Sequence, residues 1–426
     1  MKIAKLCRWL WLVNGLQLNK KRRPGVAKKG KNKRGKRQKI VGDDFRVVLD
    51  VPERLVLLLL QFLHLTRANW SFLMDRIRQY KTDGTPVYTE WSKSKGRNKG
   101  RRYFAAPCDE LKLVQKAILN RFLLSVPVHF IRHGGQRGSS ILTNAETHAG
   151  FAKSMFVVDI INAFPTVFRS RIKANLRRAW LDHCRMFEGV ELSEADKEMM
   201  LEAIVDLVAW RDRLPQGPPT SPRVLDIVCL RMDEQLYELF YSHSTPFQSY
   251  RSTAYVDDLT FSCNADSIPE ELRSEALEIV RQNGFLPHTR EDKTVYYSPE
   301  TGRVPVALGL VIGRDGRITM APYKVNQLRS RIYTLLTKKG ELDDVSRGQL
   351  QGTIGFIRQV YPRKLPAKLR QIVEQAEWRL SAEKSGATVT IVVEALPELE
   401  TPTSESSSEG VTSSPTQVKE AMELSA

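Results

Sequence analysis

A chain of 426 residues with 42% hydrophobic content can build a sizeable core, as two or three domains or as one enzyme of several subdomains. Its formal net charge of +18 points to a polyanionic partner, because so much like charge repels itself unless something neutralises it. The five cysteines (Cys7, Cys108, Cys184, Cys229, Cys263) are odd in number with no CxxC pair, which argues against a disulfide framework or a thiolate zinc site.

Residues 1–40 hold 15 Lys or Arg and no Asp or Glu, whereas residues 386–426 hold seven Glu and one Lys. The stretch between them is still net basic. Near the start, LCRWLWLV is short, interrupted by Arg8 and without a small-residue cleavage site, so it reads as an amphipathic helix and not a signal peptide. No run of about 18 apolar residues follows, so no membrane span is expected, and the cysteine pattern fits a reducing cytoplasm. Residues 19–39 carry too few apolar side chains to fold alone and read as a flexible basic arm suited to phosphates.

Leu, Phe and Trp recur at helical spacing over residues 51–80. KSKGRNKGRRYFAAP (93–107) reads as a basic β-hairpin. DELKLVQKAILNRFLLS (109–125) predicts an amphipathic helix with Leu111, Val114, Ile118 and Phe122 on one face and Asp109 as N-cap. HGGQRGSSILTNAETH (133–148) reads as a loop. FVVDIINAF (156–164) starts as an apolar strand and meets Asp159 where polarity changes. A helix is predicted over 192–209. The Pro- and Gly-dense loop RLPQGPPTSP (213–222) then feeds the helix VLDIVCLRMDEQLYELF. The hairpin AYVDDLTFS (254–262), a helix over 269–283, a strand through DKTVYYSP and a strand VALGLVI (306–312) follow. Residues 322–384 are predicted helical, with Gly352 and Gly355 at a close contact. After Gly386 the chain is Ser-, Thr-, Glu- and Pro-rich and reads as a disordered tail. No GxGxxG, GxxxxGK[ST] or HExxH pattern is present.

Asp257 and Asp258 sit side by side in the hairpin turn. Adjacent carboxylates repel, so either they are ordinary turn residues or they hold a cation. Mg²⁺ suits the second reading, being content with a few carboxylates plus substrate phosphates. A two-metal site for phosphoryl transfer needs a further carboxylate from another strand. Asp159 is the candidate, with the carbonyl of Ile160 as an added ligand; alone, Asp159 is equally a helix N-cap or a strand-end turn residue.

Together, YVDD, FVVDIINAFP and LPQGPPTSP resemble, in order and spacing, the palm motifs of reverse transcriptases over about residues 90–365. The resemblance implies an α+β right-hand polymerase. Its parts would be a basic N-terminal arm (1–42), fingers and the start of the palm (43–155), a palm of antiparallel sheet backed by helices (156–315), a helical thumb (316–385) and the acidic tail (386–426). Asp159, Asp257 and Asp258 match the metal-binding acids, and Tyr255 the tyrosine that positions the primer end. Phe164 matches the aromatic that blocks a 2′-hydroxyl. Gln216 and Gly217 match the loop that contacts the incoming nucleotide. Arg102 looks like the fingers arginine that grips the triphosphate, with Arg101 as its rival. Lys293 matches the lysine near the departing pyrophosphate, a candidate for charge neutralisation or proton donation.

NAETH (144–148) resembles the NAxxH signature of bacterial retron enzymes, which implies nucleic-acid contacts by Asn144 and His148; a loop-capping role for His148 is the alternative. Ala307-Leu308-Gly309 departs from the VTG usual in retrons. The absence of a nuclease signature after the thumb argues against a full group II intron protein. The function implied is an RNA-directed DNA polymerase using two Mg²⁺ ions. Its partners would be an RNA template and primer, the RNA–DNA duplex and dNTPs. A dedicated noncoding RNA and an effector protein, in antiphage defence, are the further expectation. The alternatives are a template-independent DNA-synthesising relative and a noncatalytic RNA-binding scaffold.

Overall fold

The computed structural model describes residues 44–94, 100–185, 187, 189–338 and 340–384. The basic arm, the N-terminal amphipathic segment, the tip of the basic hairpin and the acidic tail lie outside the described residues.

The described chain opens with α1 (Arg46–Asp50), α2 (Glu53–Leu63) and α3 (Arg67–Asp83). The helical stretch expected over 51–80 is broken at His64, which is left-handed at φ 54°. Thr66 restarts it through a reciprocal capping box with Asn69. The basic hairpin is present as β1 (Tyr88–Ser94) and β2 (Arg101–Pro107), with Lys93 opposite Arg102. In α4 (Asp109–Arg121) Leu111, Val114 and Ile118 are buried, and Phe122 follows them into the core. Its N-cap is Cys108, not Asp109. Asp109 and Glu110 instead occupy the first turn, where a carboxylate complements the helix dipole. The stretch read as a loop over 133–148 is half helix: α5 (Ile141–His148) is capped by Ser140, which accepts from the Leu142 and Thr143 amides.

β3 (Ser154–Asp159) is followed by α6 (Ala163–Thr166), α7 (Arg169–Cys184), α8 (Glu194–Val208), α9 (Ser221–Val228) and α10 (Leu230–Ser242). The helix read as continuous from 224 is interrupted at Cys229, which separates α9 from α10. α7 was not among the sequence expectations. Its signal is a four-residue spacing, Ile172, Leu176, Trp180 and Cys184, and that stripe is what it buries.

β4 (Tyr250–Tyr255) and β5 (Asp258–Cys263) come next, then α11 (Glu270–Gln282) and β6 (Val295–Tyr297). The central antiparallel sheet has the order β4-β5-β3-β6. Phe156 and Phe261 stack across it, and Phe240 of α10 stacks on Phe261 at 4.3 Å, so helix covers that face.

VALGLVI is not one strand. β7 (Val306–Ala307) and β8 (Leu310–Ile312) form a hairpin reversed at Leu308 and Gly309, both at positive φ, and β9 (Ile318–Met320) completes a three-stranded sheet. That sheet shares a core with α12 (Pro322–Leu336), α13 (Asp344–Val360) and α14 (Ala367–Lys384), through residues such as Leu310, Ile332, Leu350, Ile357 and Leu369. Burying each such side chain contributes roughly 1.5–3 kcal/mol. Gly352 and Gly355 mark no close contact: a Cβ at either would meet nothing within 4 Å.

Candidate active site

The β3–β5 register sets Asp159 directly opposite Asp258. β4 pairs with β5 so that Tyr255 faces Asp258, which leaves Val256 and Asp257 as a two-residue turn. Such turns need positive φ, normally supplied by Gly, Asn or Asp, yet Val256 adopts φ 58°. The Ile160 amide donates to the Asp257 carbonyl at 2.9 Å, tying the end of β3 to that turn. On the other side, the His288 amide donates to the Asp159 carbonyl at 2.8 Å. The three aspartates and Ile160 are thereby gathered at one end of the sheet.

The electrostatics follow from that placement. Burial, then the charges of Asp257 and Asp159, push the Asp258 carboxyl up to about 7, against the pull of Lys293 and Arg102. Asp257 is raised by burial first and by Asp159 second. Lys293 Nζ stands 2.6 Å from Asp159 Oδ2. Burial disfavours its ammonium, but the bond to Asp159 and the neighbouring carboxylates outweigh burial and leave it raised.

Among the described residues, no three His, Cys, Asp or Glu side chains are grouped closely enough to hold a metal ion as they stand. The donor set nevertheless suits a hard dication. It offers carboxylate oxygens, and burial and mutual repulsion oppose the ionisation of two of them in a way that a cation would relieve.

Arg101 and Arg102 separate clearly. Arg101 is tied across the hairpin, its guanidinium donating to the Ser92 hydroxyl at 2.8 Å and the Ser92 carbonyl at 3.1 Å. The charge of Arg102 is the one felt by Asp257 and Asp258. The Gln216 carbonyl accepts from the Ala105 amide at 2.9 Å, which docks the 213–222 loop on β2. Gly217 sits at φ 139°, and a Cβ there would lie 2.5 Å from the Ala105 carbonyl oxygen. Phe164 lies in α6 with 8% of its surface exposed, so its ring is largely a core group. Tyr255 is half-buried, and burial raises its phenol.

The contact with nucleic acid expected of Asn144 and His148 has no exposed side chain to make it. Asn144 Nδ2 donates to Thr253 Oγ1 at 2.8 Å, while the His148 ring bonds Thr253 and Ser262 at 2.8 and 2.7 Å. Both residues are buried and brace α5 against β4 and β5. Burial pushes the His148 imidazole down to about 3, so it is neutral. Sequence reading missed Arg132, which donates to the Val256 carbonyl at 2.7 Å. It also missed the acids that hold Arg132, because no spacing rule links residues so far apart in the chain.

No family model matches the chain. Among curated proteins it is 31% identical over 314 residues to the retron Mx162 reverse transcriptase of Myxococcus xanthus, covering 69% of this chain and 62% of that protein. It is 27% identical to the retron Mx65 reverse transcriptase of the same organism, covering 68% and 63%. It is 24% identical to the retron Ec86 reverse transcriptase of Escherichia coli, covering 64% and 76%. The chain thus spans under two thirds of the length of the two Myxococcus relatives. Among solved structures, apo telomerase from Candida tropicalis aligns over 76% of this chain and 64% of its own with a TM-score of 0.37 and 13% identity, a likeness too slight to bear on the fold. By sequence, the chain resembles retron reverse transcriptases over about two thirds of its length.

Proposed function

We propose that this chain is an RNA-directed DNA polymerase that extends a primer 3′-hydroxyl with dNTPs on an RNA template. The observation that carries the proposal is the register that puts Asp159 opposite Asp258 with Asp257 in the adjoining turn. The retron relatives support it independently.

In this reading the central sheet with its helices is the palm. β1 and β2 belong to the fingers, and α12–α14 are the thumb. Asp159, Asp257 and the Ile160 carbonyl would hold Mg²⁺, with Asp258 beside them. Two such ions would supply charge stabilisation for the attacking and leaving oxygens of an in-line displacement. Arg102 binds the triphosphate as a cation whose charge reaches Asp257 and Asp258. Lys293 neutralises or protonates the departing pyrophosphate once it leaves Asp159. Gly217 lets the backbone of its loop approach β2 and the incoming nucleotide, and Tyr255 positions the primer end. Phe164 would enforce the choice of deoxyribose by a clash with a 2′-hydroxyl.

The partners are an RNA template, a primer and their duplex. The reading also includes a dedicated noncoding RNA and an effector protein in antiphage defence. Among the described residues no helix is long and apolar enough to cross a membrane, and the proposed location is the cytoplasm.

The test is primer extension by the purified chain on a defined RNA template with Mg²⁺, followed by sequencing of the product. A complementary copy supports the reading, and Asp257→Ala or Asp159→Ala should abolish it while RNA binding survives. A random or homopolymeric product points to template-independent synthesis, and RNA binding without any product points to a scaffold. Full activity in either aspartate variant sinks the assignment of these acids.

A further inference from the structure

We propose that Arg132 is a positioning residue for the Val256–Asp257 turn, set by a buried clasp of residues 131–134 with Asp226 and Asp233. The proposal rests on the polymerase reading above. Val256 is β-branched and left-handed at φ 58°. Such a residue is an outlier that persists only where its surroundings hold it.

Three grips from one short segment do so. The Ala254 amide donates to the Ile131 carbonyl and the His133 amide donates to the Ala254 carbonyl, both at 2.8 Å, so this segment runs parallel along the outer edge of β4. Arg132 Nη1 donates to the Val256 carbonyl at 2.7 Å, at the apex of the turn. The backbone of Gly134 presses on the turn's other peptide: a Cβ at 134 would lie 2.6 Å from the Val256 nitrogen.

Arg132 is itself aimed. Its Nε and Nη2 donate to the two carboxylate oxygens of Asp233 on α10, at 2.6 and 2.7 Å. Asp226 on α9 stands 3.6 Å from Nη1, and all three side chains are fully buried. Both carboxylate oxygens of Asp226 are buried and accept no hydrogen bond from the described residues, so its contact with Arg132 is electrostatic, not a hydrogen bond. The guanidinium fork is what this geometry uses: two nitrogens go to Asp233 and the third to Val256. A lysine ammonium is a single point and cannot hold Asp233 bidentately while reaching the turn. A plain buried ion pair would need Asp233 and Asp226 only. The bond to the Val256 carbonyl is the added feature, and it places the clasp one residue from Asp257.

The experiment compares the full chain with Arg132→Lys by amide hydrogen exchange over residues 250–263 and by primer-extension kinetics. Exchange across the hairpin should accelerate roughly tenfold while that of α12–α14 is unchanged. Turnover should fall about 100-fold with KM for the primer–template within about twofold, as a small misplacement at the reacting centre predicts. Unchanged hairpin exchange overturns the proposal, and so does faster exchange with unchanged turnover. If Arg132→Lys shows no cooperative thermal transition, Asp233→Asn takes its place, with the same local acceleration required. If the unsubstituted chain incorporates no dNTP under any condition, the polymerase reading fails on that result, while hairpin exchange still decides whether Arg132 holds the turn.

Discussion

Lys293 Nζ lies 2.6 Å from Asp159 Oδ2, so a lysine occupies the carboxylate that the proposed metal site requires. The lysine and a metal ion would neutralise the same charge. Lys293→Met should therefore lower the thermal midpoint without metal, and added Mg²⁺ should recover part of the loss, since a ligand that binds only the folded state stabilises it. Turnover should fall about 100-fold, the usual scale for losing a positioned acid. Thermal unfolding with and without Mg²⁺ checks the first part. Equal midpoints for variant and parent in both conditions would refute it.

Asp258 is the most unfavourably placed of the three acids, because burial and two neighbouring carboxylates oppose its ionisation. Asp258→Asn keeps the shape and removes the charge. In metal-free buffer near pH 8 it should raise stability by about 1–3 kcal/mol and eliminate incorporation. Denaturant titration beside primer extension measures both. A destabilised variant would show that Asp258 is not held against repulsion. The expected pattern is a site where function is kept at the expense of stability.

How far the sequence was legible depends on the range of the forces involved. The hairpin, β3 and α4 follow from alternation, helical spacing and turn chemistry, all local. That Asp159, Asp257 and Asp258 converge could be inferred from the strands carrying them, although the pairing of Asp159 with Asp258 is a register that only the folded sheet shows. α5 was hidden by the Gly- and Ser-rich run before it, even though Ser140 and Thr143 carry a capping signal. The reversal at Leu308 was hidden because a leucine at φ 53° is not turn chemistry. Asn144, His148 and Arg132 find their side-chain partners about a hundred residues away, at Thr253, Ser262 and Asp233. No local pattern distinguishes such buried polar residues from surface ones.

Gly217 joins the 213–222 loop to β2, and the space there admits no side chain. Gly217→Ala would bring Cβ to 2.5 Å from the Ala105 carbonyl oxygen at φ 139°, where L-residues are strained as well. Because the obstacle is backbone, relief requires the loop or β2 to move, at a cost of about 1–3 kcal/mol. Incorporation should drop at least about tenfold, with the loss seen chiefly as a raised KM for dNTP. Steady-state kinetics against dNTP concentration tests this. Unchanged KM and stability would show that the loop does not need its contact with β2.

His148 sets a pH dependence with a definite sign. Its imidazole is pushed from an ordinary 6.5 down to about 3 by burial, between Thr253 and Ser262. The unfolded chain takes up a proton there below about pH 6.5 and the folded chain does not until about pH 3. Stability from this residue is therefore complete above pH 6.5 and is lost as pH falls toward 3, by at most about 1.4 kcal/mol per unit. Asp226 and Asp258, each raised to about 7 chiefly by burial, work in the opposite direction over pH 3.8 to 7, so the slope of the whole protein mixes several groups. The difference between the parent and His148→Gln isolates the histidine. The parent should lose its advantage over the variant as pH drops from 6.5 to 4, while the difference stays flat from 7 to 8.5. Urea unfolding across that range decides the matter, and parallel pH profiles would mean that His148 is not held neutral in the folded chain.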